Sequence, residues 1–174
     1  MLKHQVEKKE LIYEGFCDFR LDTLKTDTDS FIYNVLVSKQ DAVAILAKTD
    51  DNRYLITREY RHPIEKFLLG LPGGRLEDNE DPLKAAEREL LEETGYKAKS
   101  LKILKASYPL PALCDQKVYY IQAIGIEKVQ EQKLDPLEEI STDLFTKDQI
   151  HDQIKENEVD GVLLTAFGIE SFCS

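Results

Sequence analysis

Glu89, Glu92 and Glu93 stand three and four residues apart within ERELLEETG, a run that reads as one helical face stopped by Gly95. Carboxylates that close repel one another, and a cation relieves the repulsion. Magnesium suits such a set: it takes oxygen ligands, keeps several waters, and is shared between one or two carboxylates and a substrate phosphate. Glu89 and Glu93 lie one turn apart and can reach one ion together, while Glu92 can serve a second ion or order its water. Ahead of them, Pro72-Gly73-Gly74 brings two adjacent glycines, which let the backbone approach a ligand closely and make its carbonyls further candidate ligands. No Ser–His–Asp or Cys–His arrangement is visible, so water is the expected nucleophile. A cation beside phosphate oxygens then points to hydrolysis of a phosphoanhydride.

The elements that must position these groups are legible nearby. Asp81-Pro82 suits a helix start, because an acidic side chain can cap and proline fits the first turn. Leu83, Ala86 and Leu90 form an apolar stripe, which sets Glu89 and Glu93 at the edge of the buried face. Arg88 precedes Glu92 by four residues and can pair with it. Thr94-Gly95 ends the helix with the glycine as a left-handed cap. A glutamate-rich helix alone reads as a solvated face. The preceding glycine turn and Glu80, six residues after Gly74, make this one specific.

The same spacing resembles the complete Nudix box: Gly74, five residues, Glu80, seven residues, Arg88-Glu89-Leu90, one residue, Glu92-Glu93, one residue, Gly95. Tyr96 departs from it, standing where the family carries a smaller aliphatic. The resemblance implies an α/β fold, an α/β/α sandwich around a mixed β-sheet. It also implies a loop–helix–loop that binds Mg2+ or Mn2+ and hydrolyses nucleoside diphosphates linked to another moiety. Carried over, Glu89 and Glu93 are the main metal ligands, Glu92 a supporting one, Glu92 and Glu93 both having a catalytic part, and the Gly73 carbonyl a further ligand.

Flanking residues are similar to the ADP-ribose and nucleoside diphosphate sugar pyrophosphatases. They include Glu59-Tyr60-Arg61 at a strand end, Leu71-Pro72-Gly73-Gly74, Glu77, Pro111 sixteen residues after Gly95, and the segment from Glu156 to Gly161. Arg61, Gly74, Arg88 and Pro111 are the expected substrate-binding residues. A guanidinium such as that of Arg61 can hold phosphate or ribose oxygens bidentately, with a surface charge as the plainer reading. Tyr60, Tyr108, Phe16 or Phe19 can stack on a base, and His62 can assist Arg61. The loop glutamate that acts as base in some relatives falls at Glu138 or Glu139, where capping reads equally well. Asp115-Gln116 stands where relatives place an acidic residue after the proline loop.

The rest of the chain fits one domain. At 174 residues it is long enough to bury a core. Strands are expected over Lys9–Cys17, Phe19–Leu24, Phe31–Ser38, Asp41–Lys48 with Arg53–Arg61 as its hairpin partner, Leu68–Arg75, Ser100–Ser107 and Val118–Ile126, and closing helices over Phe145–Glu156 and Val159–Phe172. The first 40 residues or so are a strand extension and a possible dimerisation region, the branch implying a homodimer. A net charge of −10 argues against duplex nucleic acid as a partner. No apolar run approaches the length of a membrane span, MLKHQVEKKE lacks the apolar core of a signal peptide, and the three cysteines are unpaired in spacing, so a cytoplasmic protein with reduced thiols is expected. The expected reaction is hydrolysis of ADP-ribose or a related nucleotide sugar to a nucleoside monophosphate and a sugar phosphate. Alternatives are GDP-mannose, FAD or dinucleoside polyphosphate hydrolysis, or a non-catalytic nucleotide-binding regulatory module.

Overall fold

Runs rich in β-branched and aromatic residues pack well on a pleated surface, and the computed structural model, which describes residues 4–173, forms strands along them. The chain divides into two compact units. One holds the residues up to Asp41 together with Tyr108–Lys117, the other Ala42–Ser107 with Val118 onward.

In the first unit, β1 (Gln5–Tyr13), β2 (Cys17–Lys25) and β3 (Ser30–Ser38) make an antiparallel sheet in the order β1-β2-β3. All of β1 is exposed. The Tyr108–Lys117 segment is tied to β3: Leu36 N–H donates to the Leu113 carbonyl at 2.8 Å, Tyr33 Oη to that of Ala112 at 2.5 Å, and Ser38 N–H to Asp115 at 2.8 Å. Asp115 thus serves as a backbone anchor for the end of β3.

The second unit contains β4 (Ala42–Lys48), β5 (Tyr54–Arg61), β6 (Lys66–Gly70), α1 (Pro82–Thr94), β7 (Tyr96–Lys97), β8 (Ser100–Ser107), β9 (Val118–Ile124), β10 (Glu127–Lys128), β11 (Ile140–Phe145), α2 (Lys147–Glu156) and α3 (Gly161–Cys173). Its main sheet runs β11-β5-β4-β9-β8, with β6 paired to β5; β4 and β9 are parallel and the sheet is mixed. The continuous apolar run of β4 is what a strand covered on both faces requires. Val43, Ile45 and Ala47 pack with Ala85, Ala86 and Leu90 of α1. Ala44 and Leu46, pointing the other way, pack with Ile150 of α2 and Leu163 and Ala166 of α3. This is the expected α/β/α sandwich.

The expected hairpin of β4 and β5 is present but short, pairing at Lys48↔Tyr54, and the rest of β5 lies against β11 and β6. Two local expectations change. The strand expected through Arg75 ends at Gly70. Beyond it, the Pro72 and Gly74 carbonyls accept the N–H groups of Ile45 and Val43 at 2.8 and 2.9 Å. Finally, the segment through Phe145 is strand β11 rather than the start of a helix. Thr146 closes a capping box with Gln149, so α2 begins at Lys147. Among the described residues, no helix is long and apolar enough to cross a membrane.

Candidate active site

Helix α1 delivers the glutamates. Asp81 caps it by accepting Leu83 N–H at 2.9 Å, and Gly95, at φ 76°, stops it with its N–H on the Leu91 carbonyl. Because the inner face carries the small Ala85 and Ala86, the helix settles close to β4, and Glu89 and Glu93 go down with it. They are 9% and 5% exposed, more deeply placed than the edge position expected from the apolar stripe.

The glycine loop is wedged between β4 and these two side chains. Gly73 N–H donates to Glu93 at 2.8 Å. A Cβ on Gly73, whose φ is 153°, would stand 2.1 Å from the Val43 carbonyl oxygen, and one on Gly74 would stand 2.4 Å from Glu89 Oε1. Pro72 and Gly74 turn their carbonyls to β4, so strand alternation directs the N–H and C=O of Gly73 away from it. Gly74→Ala should fold, displace the Glu89 carboxylate, and lower metal affinity by about 10- to 100-fold. A calorimetric Mn2+ titration beside a thermal melt checks this, and unchanged affinity would refute the close approach.

Arg88 organises the remaining carboxylates. Its Nε and Nη2 donate to Glu80 at 3.1 and 2.9 Å, Nη1 to Glu89 at 2.8 Å and Glu92 at 3.3 Å, and Nη2 also to the Arg75 carbonyl at 3.1 Å. The pairing expected with Glu92 is therefore present. Expected at the substrate, this guanidinium turns inward onto its own loop and helix. Beside it, the Glu80 carboxyl is held below the ordinary glutamate range.

Burial pushes Glu93 well above that range, against the Gly73 hydrogen bond, with Glu89, Glu59 and Glu138 adding repulsion. Burial also raises Glu89, partly offset by Arg88. Glu59, on β5, is raised by burial in the same way, with Arg61 opposing and Glu138 and Asp160 contributing. Buried carboxylates in mutual repulsion, with partial compensation, fit a divalent cation. Among the described residues, no three acidic, histidine or cysteine groups already stand at ligating distance of one another. An ion held here would be bound by these carboxylates, with water and substrate oxygens completing its shell.

The family model of the NUDIX domain matches residues 38–167. The chain belongs to the Nudix family. The ADP-ribose pyrophosphatase of Bacillus subtilis (strain 168) is 32% identical over 133 residues, 76% of this chain and 72% of that protein. The methanol dehydrogenase activator of Bacillus methanolicus is 29% identical over 161 residues, 91% and 87% of the two chains. A crystal structure of an ADP compounds hydrolase superposes with a TM-score of 0.83 at 20% identity, covering 99% of this chain and 94% of that one, a likeness of fold. The resemblance to the ADP-ribose pyrophosphatase branch, seen in the flanking motifs, thus agrees with these relatives, and the chain is an enzyme of the Nudix pyrophosphatase type.

Within this Nudix site, the structure separates the two loop glutamates. Glu138, just before β11, is half-buried and lies within the electrostatic reach of Glu59, Glu89 and Glu93; it also accepts Asp135 N–H at 2.9 Å. Glu139 is exposed and contributes its backbone carbonyl to Tyr60 N–H at 3.2 Å. Arg61 ends β5 between Glu59 and Asp160. Tyr60 packs its ring 5.4 Å from that of Phe67 and 6.5 Å from that of His62. Pro111 lies in the first unit, in a turn where Leu113 and Cys114 N–H both donate to the Leu110 carbonyl. Cys17 is half-buried, its thiol on the Val37 carbonyl at 3.3 Å.

Sequence reasoning missed Glu59 and Asp160 as members of the cluster. For Glu59 a signal was available: residues two apart on a strand share a face, so Glu59 accompanies Arg61. Asp160 reaches the same place from 99 positions downstream, and nothing local announces it.

Proposed function

We propose that this protein hydrolyses the diphosphate linkage of ADP-ribose or a related nucleoside diphosphate sugar, in the presence of Mg2+ or Mn2+, giving a nucleoside monophosphate and a sugar phosphate. The observation that carries the reading is the pair of buried glutamates, Glu89 and Glu93, packed under the Gly73-Gly74 loop. With Glu92 and the Gly73 carbonyl they would hold the ion, which when bound neutralises charge on the diphosphate oxygens. Glu138 is the residue suited to take the proton of the attacking water, worth about 10²–10⁴ in rate for a well-placed base. Arg61 binds phosphate or ribose oxygens, with Gly74 shaping the space beside Glu89. Arg88 contributes by holding Glu80, Glu89 and Glu92 in place.

Relatives named ADP-ribose pyrophosphatase and ADP-sugar pyrophosphatase support the substrate class. The purified protein, assayed with Mg2+ or Mn2+ against ADP-ribose, ADP-glucose, GDP-mannose, FAD, NADH and diadenosine polyphosphates, should turn over ADP-ribose or another nucleoside diphosphate sugar best. Preference for GDP-mannose, FAD or a dinucleoside polyphosphate would move the substrate elsewhere in the same chemistry. A second reading, a regulatory nucleotide-binding module, is favoured by the similarity to the methanol dehydrogenase activator over 91% of the chain. Nucleotide binding without cleavage of any compound in the panel would establish it.

The protein works as a homodimer in this reading. The first sheet exposes Val6, Leu11, Ile12, Tyr13, Phe31 and Ile32, with Phe16 exposed in the β1–β2 turn; apolar surface of this kind supports an interaction site, with a second copy as the occupant, as in the branch it resembles. Light scattering should give twice 20.0 kDa, and Phe31→Glu with Ile32→Lys should give a monomer. A monomeric native protein would refute the assignment.

A further inference from the structure

Arg61 closes β5 with two of its nitrogens already engaged. Nη1 donates to Glu59, two residues back on the same strand face, and Nη2 donates to Asp160 at 3.3 Å. Asp160 is itself fixed at three points. Its N–H donates to the Leu69 carbonyl at 2.8 Å, beside the Leu69↔Val159 bridge that extends the sheet past β6. Its carbonyl accepts Leu163 N–H at 3.1 Å. Its Oδ1 accepts Val162 N–H at 2.8 Å, capping α3, which leaves Oδ2 for Arg61.

A guanidinium has five N–H donors in a rigid fork, but the side chain that carries it is long and rotamer-rich. The Arg61 side chain is 41% exposed, while those of Glu59 and Asp160 are 19% and 23% exposed. A half-exposed arginine held between two better-buried carboxylates is oriented before any ligand arrives, and these contacts engage two of its five N–H donors. Each contact is a charge-assisted hydrogen bond, the class that confers geometric definition.

We infer that Asp160 is a positioning residue: from the cap of α3 it orients the Arg61 guanidinium, with Glu59 as the opposing jaw, for the phosphate or ribose oxygens of the substrate. The inference rests on the proposed reading of Arg61 as a substrate-binding group. It places a determinant of substrate affinity on the closing segment of the chain, far in sequence from the Nudix box.

Asp160→Asn isolates the contact. Asparagine caps a helix as well as aspartate does, so Oδ1 can keep Val162 N–H while an amide NH2 replaces the acceptor facing Arg61. For ADP-ribose with Mg2+, the variant should raise KM by about 10- to 100-fold, with kcat within about threefold and an unchanged melting temperature. In an Arg61→Ala background the same substitution should add nothing, since the group it orients is gone. An unchanged KM in the single variant, or an effect that persists without Arg61, overturns the inference. A second readout stands apart from turnover. The Arg61 side-chain N–H signals in an NMR spectrum of the full chain should be exchange-protected in the native protein and lose protection in Asp160→Asn. Equal protection in both overturns the positioning role. A native protein that cleaves nothing would overturn the hydrolase reading alone, leaving the spectra to decide the orientation of Arg61.

Discussion

Glu93→Gln lowers metal-dependent turnover by at least about 10²-fold and leaves the fold intact. Glu93 is the most buried acidic group of the site, and among the described residues the Gly73 N–H compensates it directly. An amide oxygen can still accept that hydrogen bond, so the loop keeps its anchor while the charge of the proposed ligand disappears. The same change should make the metal-free protein more stable near neutrality. The sign follows from linkage. The folded carboxyl titrates above the ordinary glutamate value of 4.5, so the folded state binds the proton more tightly than the unfolded chain. That contribution to stability is fully present below the ordinary value and is lost as pH rises through the raised folded one. Metal-free native protein therefore loses stability with rising pH in this window, and Glu89, raised in the same direction, adds to the slope. A divalent cation should restore stability at neutral pH by binding the folded state, with protons released as it binds. Melts of native and Glu93→Gln protein from acid to neutral pH, with and without Mn2+, check this. A variant that keeps native turnover would remove Glu93 from the site, and one with an unaltered slope would remove the burial argument.

Arg88→Met destabilises the protein by about 3 kcal/mol, the lower end of what removing one partner of a buried ion pair does. Methionine keeps much of the aliphatic volume and removes every donor. Glu80 and Glu89 have side chains only 13% and 12% exposed and would both be left facing a neutral neighbour. Glu80 also receives Glu77 N–H at 2.9 Å, so the turn leading into α1 loosens with it. Adding Glu80→Gln to Arg88→Met should recover part of the loss, because one stranded charge is gone, whereas Glu80→Gln alone should be destabilising. Urea titrations of the four proteins form the cycle. If Arg88 instead served the substrate directly, Arg88→Met would raise KM and leave the urea midpoint where it was.

Both results turn on one segment, and its local structure was readable in advance. Asp81 and Pro82 open α1, Gly95 closes it, and Ala86 and Leu90 face inward, because caps and periodicity act within a few residues and carry their signals in the chain itself. The α/β/α layering was accessible through the resemblance of that segment to the Nudix box, the apolar run of β4 alone marking only a buried strand. Elsewhere local reasoning ran short. Strand β11 pairs with β5 across some eighty positions, and its last residue, Phe145, reads locally as a helix start. The direction taken by Arg88 was missed because an arginine among carboxylates can face a ligand or its own neighbours, and only the packing of the Gly74–Asp81 turn against α1 chooses.

Spacing alone determined which residues bear charge on one helical face and that a glycine turn precedes them, and those fix the reaction class. The depth of Glu89 and Glu93, the half-burial of Glu138 beside an exposed Glu139, and the meeting of Glu59, Arg61 and Asp160 were decided by the tertiary structure. Burial and repulsion depend on distances between groups far apart in the chain, and these exist only after β5, β6, β11 and the start of α3 have come together.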